Sequence, residues 1–404
     1  MVRRQQSKPP AVRSHLSQRL DALASSGIRR FFDIANVMED VISLSIGEPD
    51  FVTPRHIREA AVASIEDGKT KYTSNYGILD LREEIAADLK QRYGVAYNPA
   101  TEILVSSGVS EGLNIAMQAL IDPGDDVLSP DPFYVAYPPN VVLAGGSLVP
   151  VPTHAEDGFR LHVSELRRSL TPRSKLLLIG YPANPTGADL EGEDIEEVAA
   201  FASENDLVVV TDEIYSRLVY GHEHRLIASL PGMKERTVVL GGFSKSYAMT
   251  GWRLGYVAGP EALVEGIMKV HQYVMMSAPT AAQWAALEAL RNGEADVAAM
   301  VESYDRRRRL MVNGLNAIGL TCHEPRGAFY AFPNVTASGL DDDTFAERLL
   351  LEERVAVIPG SSFGDCGAGH VRCCYAAAEE DIQEALTRMG RFVDRCRASA
   401  CLTP

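Results

Sequence analysis

The chain lacks the features that mark several common protein classes. No apolar run approaches the roughly 20 residues of a membrane-spanning helix, so no membrane partner is expected. Cations are in the minority, with 39 Lys and Arg against 54 Asp and Glu and a formal net charge of −15. That balance disfavours nucleic acids and anionic membrane surfaces. Cysteine is scarce, six residues in 404, and all six lie after position 320. Cys366, Cys373 and Cys374 cluster, but not at the spacing of a zinc site. No metal is expected, and the thiols read as free ones in a reducing cytoplasm. Neither the dinucleotide glycine motif nor a Walker loop occurs, which argues against a nicotinamide enzyme or a kinase. The first 30 residues are basic and poor in acids, yet carry no apolar secretory core. Residues 1–13 read as a tail, with a transit peptide as the alternative.

What is present is a set of apolar runs that each end in a polar group. KLLLIGYPANPTG (175–187) reads as a buried strand that stops at a turn holding Asn184 and Pro185. LVVVTDEIY (207–215) reads as a second strand that ends at Asp212. Between them, residues 195–205 place Ile195, Val198, Ala199 and Ala202 on one helical face. A third run, VVL at 238–240, leads into GGFSKSYAMTGWRLGY (241–256), which carries Lys245 and Arg253 among small residues. Strand, helix, strand implies parallel strands joined by a right-handed crossover. Ligands of such sheets bind beyond the carboxyl ends of the strands, where Asn184, Asp212 and Lys245 all lie.

These residue types suit one cofactor. A lysine amine can form an imine with a carbonyl, and a nearby arginine can clamp a phosphate. Asp212 could hold a protonated pyridine nitrogen, which lets the ring accept electrons; its alternative is a helix N-cap. Asn184 and Tyr215 could bond a phenolate oxygen on that ring, or be a turn residue and a core aromatic. Tyr134, in SPDPFYVAY (129–137), could stack on the ring face or simply pack. Residues 102–120 read as a strand, a turn at Ser107–Gly108 and a helix with Leu113, Ala116, Met117 and Leu120 on one face. Gly108 permits close approach, and the N–H groups of Val109 and Ser110 face outward at the positive end of the helix. Ser110 with Glu111 could equally be an ordinary capping arrangement. An aldehyde that carries a phosphate and a pyridine ring describes pyridoxal 5'-phosphate.

SLSIGEPDF, KYTSNYGILDLREEIA, DPFYVAYPPN, YPANPTG, TDEIY, SKSYAMTGWRLGY and HVRCCYAA stand in this order along the chain. In that order and spacing the chain resembles the class I/II pyridoxal-phosphate-dependent aminotransferases of fold type I, from about residue 28 to about 390. The resemblance implies an α/β fold. A large cofactor domain (50–290) would hold a mostly parallel seven-stranded-type sheet, and a smaller α+β domain (1–49 with 291–404) would complete the substrate site. It implies that Lys245 carries the cofactor and moves a proton, that Asp212 pairs with the ring nitrogen, and that Tyr215 and Asn184 bind the ring oxygen. Tyr134 would stack on the ring. Gly108, Val109, Ser110 and Arg253 would hold the phosphate, joined by Tyr72 from a neighbouring subunit of a homodimer. Arg372 would bind the substrate α-carboxylate, with Gly47 approaching the same group. Relatives often have a serine three residues before the lysine; here that position is Gly242, and Ser244 is the candidate in its place.

The implied reaction is ping-pong transfer of an α-amino group from an L-amino acid to a 2-oxo acid such as 2-oxoglutarate. Aspartate and aromatic donors fit this branch of the family, and N-acetyl-diaminopimelate is an alternative. A β-eliminating lyase or an aminocyclopropane-carboxylate synthase would share the same lysine and aspartate. Ile28, Phe31, Ile46 and Phe329 are expected to line the side-chain pocket. Strands are expected at 329–335, 355–360 and 370–376. The arginine run Arg306–Arg309, within a helix at 294–318, reads as a solvated face. His222 and His224 read as exposed loop histidines, with a metal pair as the alternative.

Overall fold

The computed structural model describes residues 17–20, 23 and 38–400. The tail expected at 1–13, and the pocket candidates Ile28 and Phe31, lie outside the described residues. After a short β1 (Ile42–Ser43), seven strands build the main sheet. They are β2 (Ile103–Ser106), β3 (Asp126–Asp131), β4 (Ser147–Pro152), β5 (Ser174–Ile179), β6 (Val208–Asp212), β7 (Thr237–Gly242) and β8 (Gly255–Ala258), in the order 2-8-7-6-5-3-4. The neighbours from β4 to β7 pair in parallel, and β8 runs antiparallel to both of its partners. The central strands are continuous aliphatic runs because helices cover both sheet faces. Leu176, Leu177, Val209, Val210, Val239 and Leu240 are all fully buried. Helix Glu193–Glu204 crosses from β5 to β6 and buries Ile195, Val198, Ala199 and Ala202, as their spacing predicts.

The C-terminal third adds β9 (Tyr330–Ala331), β10 (Val355–Ala356), β11 (Ile358–Pro359) and β12 (Val371–Cys374). β11, β12 and β9 form an antiparallel sheet, and β10 pairs with β1. These strands are shorter than the sequence predicts. Pro333 follows soon after β9 and has no N–H to extend a ladder. The run at 355–360 splits at Val357, so its two halves join different sheets. One apolar cluster contains Leu177 and Val209 of the main sheet together with Phe329, Val371 and Ile382 of this region. That shared core fixes β12 against the carboxyl edge of the main sheet. Among the described residues no helix is long and apolar enough to cross a membrane.

The arginine run corrects its expected reading. It lies in helix Glu294–Ala317, and four consecutive residues exceed one 3.6-residue turn. Arg306 and Arg309 share the exposed face, whereas Arg307 and Arg308 point inward. Arg307 pairs with Asp50 at 2.8 Å, and Arg308 with Asp305 at 2.6 Å and Glu324 at 2.5 Å.

Candidate active site

A cavity of about 370 Å³ opens at the carboxyl ends of β5, β6 and β7. Lys245 lies three residues past β7, and its Nζ donates to the Gly47 carbonyl at 2.5 Å. Burial lowers this amine to about 8. Asp212 ends β6 and is buried. It accepts from the Ile214 N–H at 3.2 Å and from the Tyr137 hydroxyl at 3.0 Å. Burial nevertheless raises its carboxyl to about 6, because the two donors compensate only part of the lost hydration. Tyr215 shares a 2.6 Å hydroxyl bond with Tyr330. Tyr134 lines the cavity with its ring edge-on to Tyr137.

Arg372 enters from β12. Its Nη1 donates to Asn184 Oδ1 at 2.9 Å and its Nη2 to the Ser45 carbonyl at 2.7 Å. The guanidinium lies between the rings of Tyr330 and Phe363, at 4.5 and 5.0 Å. Its Nε is buried without a partner, and among the described residues no carboxylate pairs with it. A buried cation without an anion is costly, so an anion entering the cavity would be favoured beside Arg372.

The cavity also presents donors that could hold a second anion. Helix Gly108–Leu120 begins there with no side-chain cap bond from Ser107, and Val109 and Ser110 of its first turn line the cavity with Ser244 and Arg253. Gly108 has φ +78°, and a Cβ there would stand 2.9 Å from Arg253 Nη2. Gly242 is tight as well: a Cβ would stand 2.9 Å from Ile214 Cδ1 and 3.1 Å from Val109 Cγ2. A serine there would need its neighbours to move. The capping reading of Glu111 is realised differently. Its carboxylate accepts from the Ser107 N–H, and its other oxygen bonds His271 Nδ1 at 2.7 Å.

The expected site residues Gly47, Val109, Ser110, Tyr134, Asn184, Asp212, Tyr215, Ser244, Lys245, Arg253 and Arg372 therefore converge, and Gly108 stands beside Arg253. Tyr72 does not: it lies outside the cavity and is 82% exposed. Ile46 and Phe329 do not line the cavity either. Successive strand residues point to opposite faces. Tyr330 of β9 lines the cavity, while its neighbour Phe329 packs beneath Lys245 and Tyr215. The sequence reading missed Tyr330 and Tyr137. Tyr137 stands three residues after Tyr134, a spacing that would have found it.

The family model for aminotransferase class I and II matches residues 39–389. The chain belongs to the class I and II aminotransferases. An aspartate aminotransferase of Pyrococcus abyssi is 46% identical over 94% of this chain and 98% of its own. Aromatic-amino-acid aminotransferase 2 of Thermococcus litoralis is 45% identical over 94% and 98%. The structure of Thermus thermophilus aspartate aminotransferase with maleate superposes with a TM-score of 0.90 at 40% identity, covering 94% of this chain and 100% of that one. Aminotransferases of this class are enzymes that use pyridoxal 5'-phosphate.

The residues of this aminotransferase fit that cofactor. The uncapped helix start and Arg253 could take its phosphate, Asp212 a ring nitrogen, and Lys245 its carbonyl. Arg372, which lines the cavity and has no carboxylate partner among the described residues, could meet a substrate carboxylate. His222 and His224 correct their expected reading. They are neither exposed nor a metal pair: both are paired with Asp189, and no metal-binding group is found among the described residues.

Proposed function

We propose that this aminotransferase moves the α-amino group of an aspartate or aromatic L-amino acid to a 2-oxo acid such as 2-oxoglutarate, as a cytoplasmic homodimer with shared sites. The buried Arg372, which meets no carboxylate among the described residues, carries the reading, because an α-carboxylate matches its planar fork. When bound, pyridoxal phosphate supplies an aldehyde that takes up the amino group and a ring that accepts the electron pair of the broken Cα–H bond. Lys245 would hold that group through Nζ, and its neutral amine would take the Cα proton of the substrate. Its lowered basicity keeps more of it neutral near pH 7, as a base requires. Asp212 holds a proton on the ring nitrogen. Tyr215 and Asn184 would bind the ring oxygen, Tyr134 would pack on the ring, and the 108–110 turn with Arg253 would hold the phosphate. Residues 50–290 carry the cofactor, and 1–49 with 291–404 complete the substrate site.

The only cations lining the cavity from the described residues are Lys245, Arg253 and Arg372. All three are engaged in this reading, which supports an aromatic side chain or an acidic one met by a cation from a second copy. The exposed apolar residues Val52, Tyr72, Tyr273, Val274 and Met276 support such a copy. A panel of amino donors against 2-oxoglutarate and oxaloacetate tests the proposal. Amino transfer from aspartate or aromatic donors supports it. Release of ammonia and pyruvate without any 2-oxo acid would instead mark a β-eliminating lyase.

A further inference from the structure

One buried cluster of ionisable groups has no part in the reaction above. His224 Nδ1 lies 3.0 Å from both Asp189 oxygens, and its Nε2 lies 2.7 Å from Glu213 Oε2. Side-chain exposure is 0% for Asp189, 4% for His224 and 6% for Glu213. Both ring nitrogens thus face carboxylate acceptors. A neutral imidazole has a single N–H, so only the imidazolium satisfies both bonds. The second Glu213 oxygen accepts from Thr211 Oγ1 at 2.6 Å. Asp189 also pairs with His222 at 2.8 Å. Tyr93 stands edge-on to the His224 ring at 6.1 Å.

The position of the cluster matters more than its charge count. Glu213 follows Asp212 directly, at the end of β6. Asp189 closes the turn that carries Asn184, where the Ala183 N–H donates to the Ala188 carbonyl at 2.8 Å. We propose that His224 is a positioning residue: as a buried cation it screens Glu213 from Asp212 and ties the turn that carries Asp212 to the turn that carries Asn184. The inference rests on the reading that Asp212 faces the cofactor ring nitrogen.

The charges around the cluster agree. Burial works against the imidazolium, but Glu213 and Asp189 outweigh it and hold His224 well above its ordinary range. Burial likewise opposes Asp189, yet His224 and His222 keep its carboxyl below the usual range. At Asp212, burial is the largest influence against ionisation. Glu213 adds to it, while Ile214, Tyr137 and Lys245 oppose it. An unscreened Glu213 would push Asp212 further toward the neutral acid, which cannot hold a ring proton.

The test measures the affinity of the cofactor-free protein for pyridoxal 5'-phosphate, by protein fluorescence, from about pH 5 to 8. Protonation of Lys245, lowered to about 8, weakens binding over the whole range; a further, steeper fall should appear as Asp212 takes up a proton, near pH 6 in the natural protein. His224→Gln should move that fall up by roughly one pH unit, Glu213→Gln should move it down, and the double variant should return it near its original place. If His224→Gln does not fold, Glu213→Gln and the double variant still decide. Identical pH profiles in the natural protein, Glu213→Gln and the double variant overturn the screening role. Asp212→Asn distinguishes a failure of the Asp212 role from a failure of the His224 screening role. If it keeps the steeper step near pH 6, the Asp212 reading fails and the inference with it. If it abolishes that step while Glu213→Gln leaves it in place, the inference alone fails.

Discussion

Replacing Asp212 with Asn should stabilise the empty protein while disabling the enzyme. The carboxyl is raised from 3.8 to about 6 by burial. A group whose folded value is raised contributes stability at low pH that is lost as pH climbs through the folded value. Between 3.8 and 6 the difference is 2.2 units, or about 3 kcal/mol at 1.36 kcal/mol per unit. Asparagine carries no charge to desolvate; its oxygen can still accept from the Ile214 N–H, and its NH2, in the place of Oδ2, can donate to the Tyr137 hydroxyl oxygen. With about 2.1 cal/mol/K per residue over 404 residues, the unfolding entropy is about 0.85 kcal/mol/K, so the gain is about 3–4 °C in Tm. The assay is a thermal melt of cofactor-free protein at pH 7.5 and again at pH 5, where the gain should shrink to about half. In the loaded enzyme, turnover should fall by about two to four orders of magnitude. An Asp212→Asn protein that melts below the natural one at pH 7.5, or a gain unchanged at pH 5, would refute the reasoning.

Three further outcomes are expected. Natural protein should be yellow and trap cofactor on Lys245 with borohydride; Lys245→Ala should lose that adduct, and an adduct on another lysine would displace Lys245 from its role. Arg372→Lys should keep fold and cofactor but lose on the order of 1.5–3 kcal/mol in kcat/KM for every amino acid alike; a loss confined to acidic donors would mean Arg372 reads the side chain. Mixing inactive Lys245→Ala with inactive Tyr72→Phe chains should restore some activity through hybrid dimers, whereas Lys245→Ala with Arg372→Lys should not. A fully active monomer in sedimentation would remove the shared site.

The central sheet was legible because its strands are buried on both faces, so β5, β6 and β7 appear as unbroken aliphatic runs. The polar residue that ends each run then marked the site edge. β9 to β12 were less legible. Their apolar runs were visible, but Pro333 and the break at Val357 decided where pairing stopped. Tyr330 was hidden beside Phe329: both are aromatic, and only the fold says which one lines the cavity. His222 and His224 looked like loop histidines because their partner carboxylates lie 35 and 11 residues from His224 in the chain. Burial of a charged group by distant partners leaves no local pattern.

His271 lies in the last turn of helix Glu261–Val274, directly before the exposed apolar residues at 273–276. The same imidazole holds Glu111, and Glu111 holds the Ser107 amide at the start of the phosphate turn. Whatever covers that helix end therefore stands in series with the phosphate grip, two hydrogen bonds away. In a homodimer, the strength of subunit contact and the retention of the cofactor would rise and fall together. A stock diluted until its copies separate would bleach sooner than a concentrated one kept equally warm.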